Sequence, residues 1–354
     1  MKKRSKVFLT VVSLFTMVLT LLPVSVMAES LTYRSGEKGK ITINYYDDNL
    51  RTKPTVDSHW RLYKVGDVTY SYNETNVDAL TITSLISGLN ISRETKAEEV
   101  LNKLEYKVIS ESKIEMSGKD VNGQKLVYFD GVTNEDGVIE YKDLEQGVYL
   151  GVETQAARYH NRSTPFLISI PNTDETGRIS SLEAKIEPKA VLAGDLVISK
   201  QLHGNAAEIA YQWTMELTLP EGTYHYKTNE MKKYGNTYSK GQEGYCKSGD
   251  KIKIYAGEDL TIYDIPSGKE YSISEIEANA QGYQTRYERK DGIIEAYKPI
   301  SVVVHNTKNK DVKTDAGANT MLYTGVGVAS GALLIVILVC KNKKKENEEN
   351  KEEK

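Results

Sequence analysis

The sequence is poor in cysteine, with only Cys246 and Cys340 among its 354 residues. A disulfide framework and a cysteine-built zinc site are therefore excluded. An excess of charge of one sign is also lacking: 46 basic and 49 acidic side chains leave a net charge of −3, which gives no electrostatic case for nucleic-acid binding. Phenylalanine occurs only 4 times, whereas tyrosine, which favours half-buried strands, occurs 24 times. The composition predicts a β-rich extracellular chain of two or three domains.

The first 28 residues have the pattern of a secretory signal peptide. The cationic start MKKRSK precedes an apolar stretch from Val7 to Leu22, and small residues end this segment at Ala28. We expect cleavage after Ala28 and export of the chain. A retained membrane anchor is the alternative.

An apolar segment near the other end predicts a membrane span. Residues 326–340 are 15 uncharged positions, and residues 322–325 extend the run to 19, close to the roughly 20 that a spanning helix needs. The lysine-rich tail at 341–354 is expected to stay in the cytoplasm, so the body of the chain lies outside the cell. The alternative is a buried core helix.

Between these ends, period-two patterning predicts two β domains, at 29–189 and 194–308, followed by a linker at 309–325. Each domain is expected to be an immunoglobulin-like β-sandwich of short strands, which makes the fold class all-β. One exception is 94–109, where apolar residues recur at helical spacing and Thr95 and Glu98 could form a capping box. This segment predicts a helix packed on the side of the first sheet.

Three polar residues of the second domain, Lys200, Glu275 and Asn306, each end a period-two series that is otherwise apolar. The apolar members are Leu196 and Ile198 before Lys200, Tyr271 and Ile273 before Glu275, and Ile300, Val302 and Val304 before Asn306. Buried polar groups need partners, so we expect these three side chains to meet. The alternative is that all three lie at the rim, where Lys200 reaches water and Asn306 begins a turn.

This trio has a specific chemistry if it is buried. Burial favours the neutral amine of Lys200 and the neutral acid of Glu275. A neutral amine can attack the carboxamide carbon of Asn306, while Glu275 passes a proton to the leaving ammonia. The product would be a Lys–Asn isopeptide bond, formed once, with neither a cofactor nor a metal.

The second domain resembles the isopeptide-forming C-terminal domain of Gram-positive pilins. The resemblance lies in LVISKQLHGNAAE (196–208), YQWTMELTLPEGTY (211–224), DIPSGKEYSISE (264–275), GYQT (282–285) and VVVHNT (302–307). It implies that Lys200 and Asn306 are the bonding residues and that Glu275 is the catalytic acid, the same trio that the period-two patterning selects.

The first domain resembles the N-terminal domain of the same pilins. The similar segments are GKITINYYDD (39–48), HWRLYKVGDV (59–68), TNEDGVIEYKDLEQGVYLGVET (133–154) and STPFLISIP (163–171). However, Tyr45 stands where a bonding lysine would be, and no asparagine closes the last strand. We therefore expect no isopeptide bond in this domain and interpret Glu153 as a rim or hydrogen-bonded glutamate.

Two further segments resemble the signals by which pilins are assembled. Residues 321–325 resemble the LPxTG sorting motif of sortase substrates, which implies cleavage between Thr324 and Gly325. The end of the first domain, LEAKIEPKAV (182–191), resembles the pilin motif, which implies that Lys189 is the polymerisation lysine, with Lys185 as a second candidate. The alternatives are a plain single-pass anchor and an ordinary linker lysine.

Together these features favour a surface fimbrial subunit that is cross-linked internally and joined by a sortase to the cell wall or to neighbouring pilins. The expected partners are other pilin subunits, a sortase transpeptidase, cell-wall peptidoglycan, the membrane through the C-terminal span, and a host surface receptor. The alternative is a non-polymerising ancillary pilin or a membrane-anchored adhesin. An enzyme is not expected, because nucleophile-elbow, HExxH and phosphate-loop motifs are lacking.

Overall fold

The computed structural model describes residues 36–73, 76–173, 179–208, 211–233 and 236–310. The predicted signal peptide, the sorting residues Thr324 and Gly325, and the predicted span at 326–340 lie outside these ranges. Within the described ranges no helix is long and apolar enough to cross a membrane. Regular structure there is almost entirely β-strand, which confirms the all-β fold class.

Within the described ranges, the first part of the chain forms a β domain of two main sheets, a small two-stranded sheet of β11 and β12, and one short helix. Its elements are β1 (Gly39–Asn44), β2 (His59–Asn73), β3 (Asn76–Ser84), α1 (Ala97–Leu101), β4 (Leu104–Ser110), β5 (Lys113–Asp120), β6 (Tyr128–Val132), β7 (Val138–Leu144), β8 (Gly147–Gln155), β9 (His160–Asn161), β10 (Phe166–Ile170), β11 (Asn172–Thr173), β12 (Ile179–Ser181) and β13 (Glu183–Ile186). One sheet has the order β13-β1-β7, and the other follows β3-β2-β8-β5-β4 with β6 and β10 attached.

The larger of these sheets has an apolar layer on each face. Alternation along β2 sends Trp60 and Leu62 into a core shared with β1, and Tyr63 and Val65 into a second core under α1. Strand β8 is buried on both faces for the same reason. The tertiary position of the helix therefore agrees with the expectation of a helix packed on the side of a sheet.

The helix itself is shorter than the expected 94–109. It ends at Leu101, and the following segment forms β4, which pairs with β5. Leu104, Tyr106 and Val108 also alternate as in a strand, and pairing with a neighbouring strand decides between helix and strand there. The capping box of Thr95 and Glu98 is also wrong, because the N-cap is Lys96 and its side chain makes no capping bond.

The second part of the chain is a β-sandwich. Its strands are β14 (Val191–His203), β15 (Gln212–Thr218), β16 (Tyr224–Thr228), β17 (Met231–Lys233), β18 (Asn236–Ser239), β19 (Glu243–Cys246), β20 (Lys251–Tyr255), β21 (Asp259–Pro266), β22 (Glu270–Glu275), β23 (Gln284–Glu288), β24 (Asp291–Ile293) and β25 (Pro299–Thr307). One sheet has the order β19-β16-β21-β14-β25-β23, and the facing sheet has the order β20-β15-β22-β24.

The core of this sandwich is a single apolar cluster between the two sheets. Trp213, Met215 and Leu217 of β15 all point into it, as the alternation of their strand predicts. The first and last strands, β14 and β25, pair in parallel at the centre of the larger sheet. This central pair carries two of the three polar residues that the sequence places in the core.

The two domains are joined by a shared strand as well as by side chains. The first residues of β14, Val191 and Leu192, pair with β9 of the N-terminal domain before the strand continues into the sandwich. Arg158 of the first domain forms ion pairs with Asp195 and, at 2.5 Å, with Asp264 of the second domain. The predicted boundary region is therefore structured where β14 begins.

Candidate functional site

Lys200 and Asn306 lie on neighbouring parallel strands, and their side chains point into the same core. Lys200 of β14 is opposite Val304 of β25, and Asn306 is two residues further along β25. Side chains two positions apart share a face of a strand, so the amine and the carboxamide are diagonal neighbours. Both residues are 0% exposed, which rules out the alternative of a rim position.

Glu275 reaches these two residues from the facing sheet. Its Oε2 atom lies 2.8 Å from Lys200 Nζ, and its Oε1 atom accepts a hydrogen bond from Asn306 Nδ2 at 2.7 Å. The carboxylate thus contacts the nucleophile and the carboxamide at the same time. The structure brings together the three residues that the sequence selects, from β14, β22 and β25.

The surroundings of the amine are apolar. Lys200 Nζ lies 4.6 Å from the centroid of the Trp213 ring and donates a hydrogen bond to the carbonyl of Val304 at 3.4 Å. Burial lowers the pKa of Lys200, and this effect outweighs the opposing hydrogen bond and charge of Glu275. Deprotonation of Lys200 is therefore easier here than in water, and the unprotonated amine is the nucleophilic form.

Only one of the two polar atoms of the Asn306 carboxamide makes a hydrogen bond within the described residues. Its Nδ2 atom donates to Glu275, but its Oδ1 atom is buried and has no hydrogen-bond partner among the described residues. A rotation of the amide by half a turn would place Oδ1 against Glu275, where a protonated carboxyl could donate to it. That orientation is the one that polarises the carboxamide for attack.

The N-terminal domain contains a second buried glutamate with different partners. Glu153 is 1% exposed, so its expected rim position is wrong and its expected hydrogen bonding is correct. It accepts hydrogen bonds from the Tyr45 hydroxyl at 3.1 Å, the Ser58 hydroxyl at 2.6 Å and the Ser163 backbone N–H at 2.5 Å. Burial raises the pKa of Glu153, in spite of these three donors.

Lys189 and Lys185, the two candidate polymerisation lysines, are both exposed. Lys185 lies on β13, opposite Thr42 of β1. Lys189 forms a parallel β-bridge with Tyr46, and its carbonyl accepts a hydrogen bond from the Ser163 hydroxyl at 3.0 Å. The backbone of Lys189 is therefore held in place while its amine faces solvent.

Two features near these sites were not found by sequence reasoning. The hydroxyl of Tyr287 accepts a hydrogen bond from the backbone N–H of Glu275 at 3.0 Å. At the domain junction, Asp47 contacts His160 at 2.8 Å and also accepts a hydrogen bond from Tyr297 of the other domain. Alternation along QTRYE (284–288) is a signal that could have placed Tyr287 towards the core, whereas Asp47 and Tyr297 lie in loops without a periodic pattern.

Two family models match the chain, one over each domain. Residues 28–190 match the model described as the Gram-positive pilin subunit D1, N-terminal domain, and residues 194–308 match a model described as a domain of unknown function. The first match shows that the N-terminal domain is of the Gram-positive pilin D1 type. The comparison with curated proteins gave no match.

Solved pilin structures are similar to the chain at low identity. The major pilin T3.2 of Streptococcus pyogenes is 15% identical over 77% of this chain and 98% of that one, with a TM-score of 0.29. The minor pilin GBS52 of Streptococcus agalactiae is 15% identical over 79% and 100%, with a TM-score of 0.31. The major pilin SpaD of Corynebacterium diphtheriae is 13% identical over 80% and 70%, with a TM-score of 0.33. TM-scores this low carry no functional weight.

Proposed function

We propose that this protein is a pilus subunit and that it stabilises itself with an intramolecular isopeptide bond between Lys200 and Asn306, formed with the help of Glu275. The observation that carries the proposal is the position of the Glu275 carboxylate, 2.8 Å from Lys200 Nζ and 2.7 Å from Asn306 Nδ2 in a closed apolar core. A buried, charged pair is costly unless it is well compensated, so a bond that leaves a neutral amide removes this cost.

The reaction balances without a cofactor. A proton moves from the Lys200 ammonium to the Glu275 carboxylate, and the free amine attacks the side-chain carbonyl carbon of Asn306. Glu275 donates its proton to the carboxamide oxygen as the tetrahedral intermediate forms, and it takes that proton back when the carbonyl re-forms. It also moves a proton from the attacking nitrogen to the departing nitrogen. The C–N bond to that nitrogen breaks, one ammonia leaves, and a Lys–Asn amide remains. Each chain reacts once, so this step is not enzymatic turnover.

The bond would join the first and last strands of the sandwich. Because β14 and β25 are parallel neighbours, tension that enters at the domain junction and leaves beyond β25 would pass through a covalent bond rather than through ladder hydrogen bonds. Closing a loop of about 100 residues would also stabilise the domain by about 4–5 kcal/mol through restriction of the unfolded chain. Force resistance of this kind suits a fibre subunit without disulfides.

We further propose that a sortase cleaves between Thr324 and Gly325 and joins Thr324 to Lys189 of another subunit or to peptidoglycan. The exposed side chain and the fixed backbone of Lys189 support this role. Such a subunit would be displayed outside the cell as part of a fimbria. A non-polymerising ancillary pilin or a membrane-anchored adhesin is the second candidate, since the sorting motif has Leu322 where proline is usual.

The intact mass of the exported protein tests the cross-link. We expect a mass lower than the calculated value by one ammonia, together with a tryptic species that joins the Lys200 and Asn306 peptides. Glu275→Ala should restore the full calculated mass, and Glu277→Ala, which changes a neighbouring glutamate bonded to Thr214, should not. A folded wild-type protein with the full calculated mass would disprove the cross-link.

A further inference from the structure

The reactive trio is divided between the two sheets of the sandwich. Lys200 and Asn306 belong to the larger sheet, on β14 and β25, whereas Glu275 belongs to the facing sheet, on β22. Strand pairing fixes the first two residues relative to each other, but it does not fix their distance from Glu275. A contact between the two sheets must therefore hold the end of β22 against the larger sheet.

The backbone N–H of Glu275 is not used in the strand pairing of its own sheet. The next residue, Ile276, donates its N–H to the carbonyl of Thr214 at 3.0 Å, so the N–H of Glu275 points away from β15. On that other side β24 pairs with β22 as far as Ser272, and the N–H of Ile273 donates to the carbonyl of Lys290 at 2.9 Å. The ladder therefore ends before Glu275, and a buried N–H without a partner would be destabilising.

The hydroxyl of Tyr287 takes this N–H at 3.0 Å. Tyr287 comes from β23 of the larger sheet, where it is opposite Val304 of β25. Val304 is in turn opposite Lys200, and its carbonyl accepts the hydrogen bond from Lys200 Nζ. Tyr287, Val304 and Lys200 thus form a row across three adjacent strands, and the tyrosine hydroxyl extends from this row to the facing sheet.

We propose that Tyr287 is a positioning residue for isopeptide formation, since its hydroxyl ties the strand that carries Glu275 to the sheet that carries Lys200 and Asn306. This inference rests on the proposed function. Tyr287 does not touch the reacting atoms, so it acts only through the backbone of Glu275. Without it, the carboxylate would spend less time in simultaneous contact with the amine and the carboxamide, and catalysis depends steeply on such placement.

The rate of bond formation tests the proposal. The full chain is synthesised in a cell-free system with detergent, and its mass is followed with time until the ammonia is lost. Tyr287→Phe, which deletes one oxygen, is expected to form the bond about tenfold more slowly, the equivalent of about 1.4 kcal/mol for one hydrogen bond. The backbone amide resonance of Glu275 should shift in the same variant.

Tyr283→Phe is the matched control. Its hydroxyl also accepts a backbone N–H, that of Glu208 at 2.9 Å, and its ring packs on Trp213 with centroids 4.8 Å apart. We expect this variant to form the bond at the wild-type rate. In an unlinked Lys200→Met background, both tyrosine substitutions should lower stability by similar amounts, which separates positioning from a general loosening of the core.

The outcomes are distinguishable. Equal rates for wild type and Tyr287→Phe, or equal slowing by Tyr283→Phe, would overturn the positioning role while the cross-link itself remains established. A wild-type chain that never loses ammonia would overturn the proposed function and the positioning role together.

Discussion

Glu153 of the first domain and Glu275 of the second are both buried, but the two glutamates have different neighbours. Glu275 lies between a lysine and an asparagine, whereas Glu153 accepts hydrogen bonds from Tyr45, Ser58 and the Ser163 backbone. A buried carboxyl is therefore not reactive by itself. It promotes a cross-link only where a nucleophilic amine and a carboxamide lie within its reach.

The N-terminal glutamate still performs a comparable structural task. Its three donors come from the segment after β1, the residue before β2 and the segment before β10. Glu153 thus connects separate parts of the first domain without a covalent bond. The comparison predicts that a covalent bond adds to the stability of the second domain, whereas Glu153 stabilises the first domain only through hydrogen bonds.

The largest expected effect comes from Asn306→Ala, which removes the electrophile. We expect the protein to keep the full calculated mass and to lose about 4–5 kcal/mol of unfolding free energy with the cross-link. The measurement is denaturant unfolding followed by the fluorescence of Trp213 in a Trp60→Phe background, because each domain contains one of the two tryptophans of the chain.

Asn161→Ala is the control for this prediction. Asn161 is also a buried asparagine, on β9, but it lies in the N-terminal domain. The bond should form normally in this variant, and the transition reported by Trp213 should stay in place. An Asn306→Ala protein as stable as wild type would contradict a stabilising cross-link.

Glu153→Ala should have the next largest effect on the free energy of unfolding. Its mass should differ from that of wild type only by the substitution, because no cross-link is gained or lost. The Tyr45 and Ser58 hydroxyls and the Ser163 N–H would lose their shared acceptor, at a cost of about 2–4 kcal/mol to the first domain. The measurement is denaturant unfolding followed by Trp60 fluorescence in a Trp213→Phe background, and the same background with Glu153 present is the reference. A loss of ammonia that depends on Glu153 would break the comparison, because it would reveal a second bond.

Alternation along strands was sufficient to predict that three polar residues of the second domain enter the core. In a strand the side-chain direction follows from parity, so Lys200, Glu275 and Asn306 could be placed inside from their apolar neighbours alone. Parity does not say which strands are adjacent. That Lys200 and Asn306 share a sheet while Glu275 faces them from the other depends on long-range pairing, as does the cross-sheet bond of Tyr287.

The same limit explains what sequence reasoning missed elsewhere. The apolar spacing of 94–109 fits a helix, but pairing with β5 makes its second half a strand. The junction residues Arg158 and Asp47 lie in loops, and their partners are more than 30 positions away in the sequence. Contacts of this kind carry no local periodicity, so a single sequence gives no signal for them.

A change in pH is expected to have a smaller effect on stability, and only through non-covalent contacts such as the one between Asp47 and His160 at the domain junction. Burial would lower the pKa of His160, but its hydrogen bond to Asp47 and the nearby acidic charge raise it overall. Because the folded-state pKa is raised, the stabilisation is complete below the unfolded value of about 6.5 and is lost as pH rises through the folded value. The cross-link is a neutral amide, so its contribution to stability should not change with pH.

The measurement is the denaturation midpoint of the first domain between about pH 5 and pH 9. Wild type should lose stability as pH rises, and His160→Gln should flatten this slope. His225→Gln, which changes a histidine bonded to Glu243 on the second domain, should not. A slope that persists in His160→Gln would show that the junction histidine is not its source.

The smallest effect on stability, yet a complete effect on assembly, is expected from Lys189→Arg. The side chain is exposed, so unfolding free energy should change by less than about 0.5 kcal/mol and the Lys200–Asn306 bond should still form. An arginine cannot replace the amine that accepts the sorting threonine, because its guanidinium stays protonated. Cell-wall extracts of the native host should therefore lose a ladder of covalent polymers, while Lys185→Arg keeps it. A ladder that persists in Lys189→Arg would show that another residue is the polymerisation site. A single discrete band in wild-type extracts would favour the ancillary subunit.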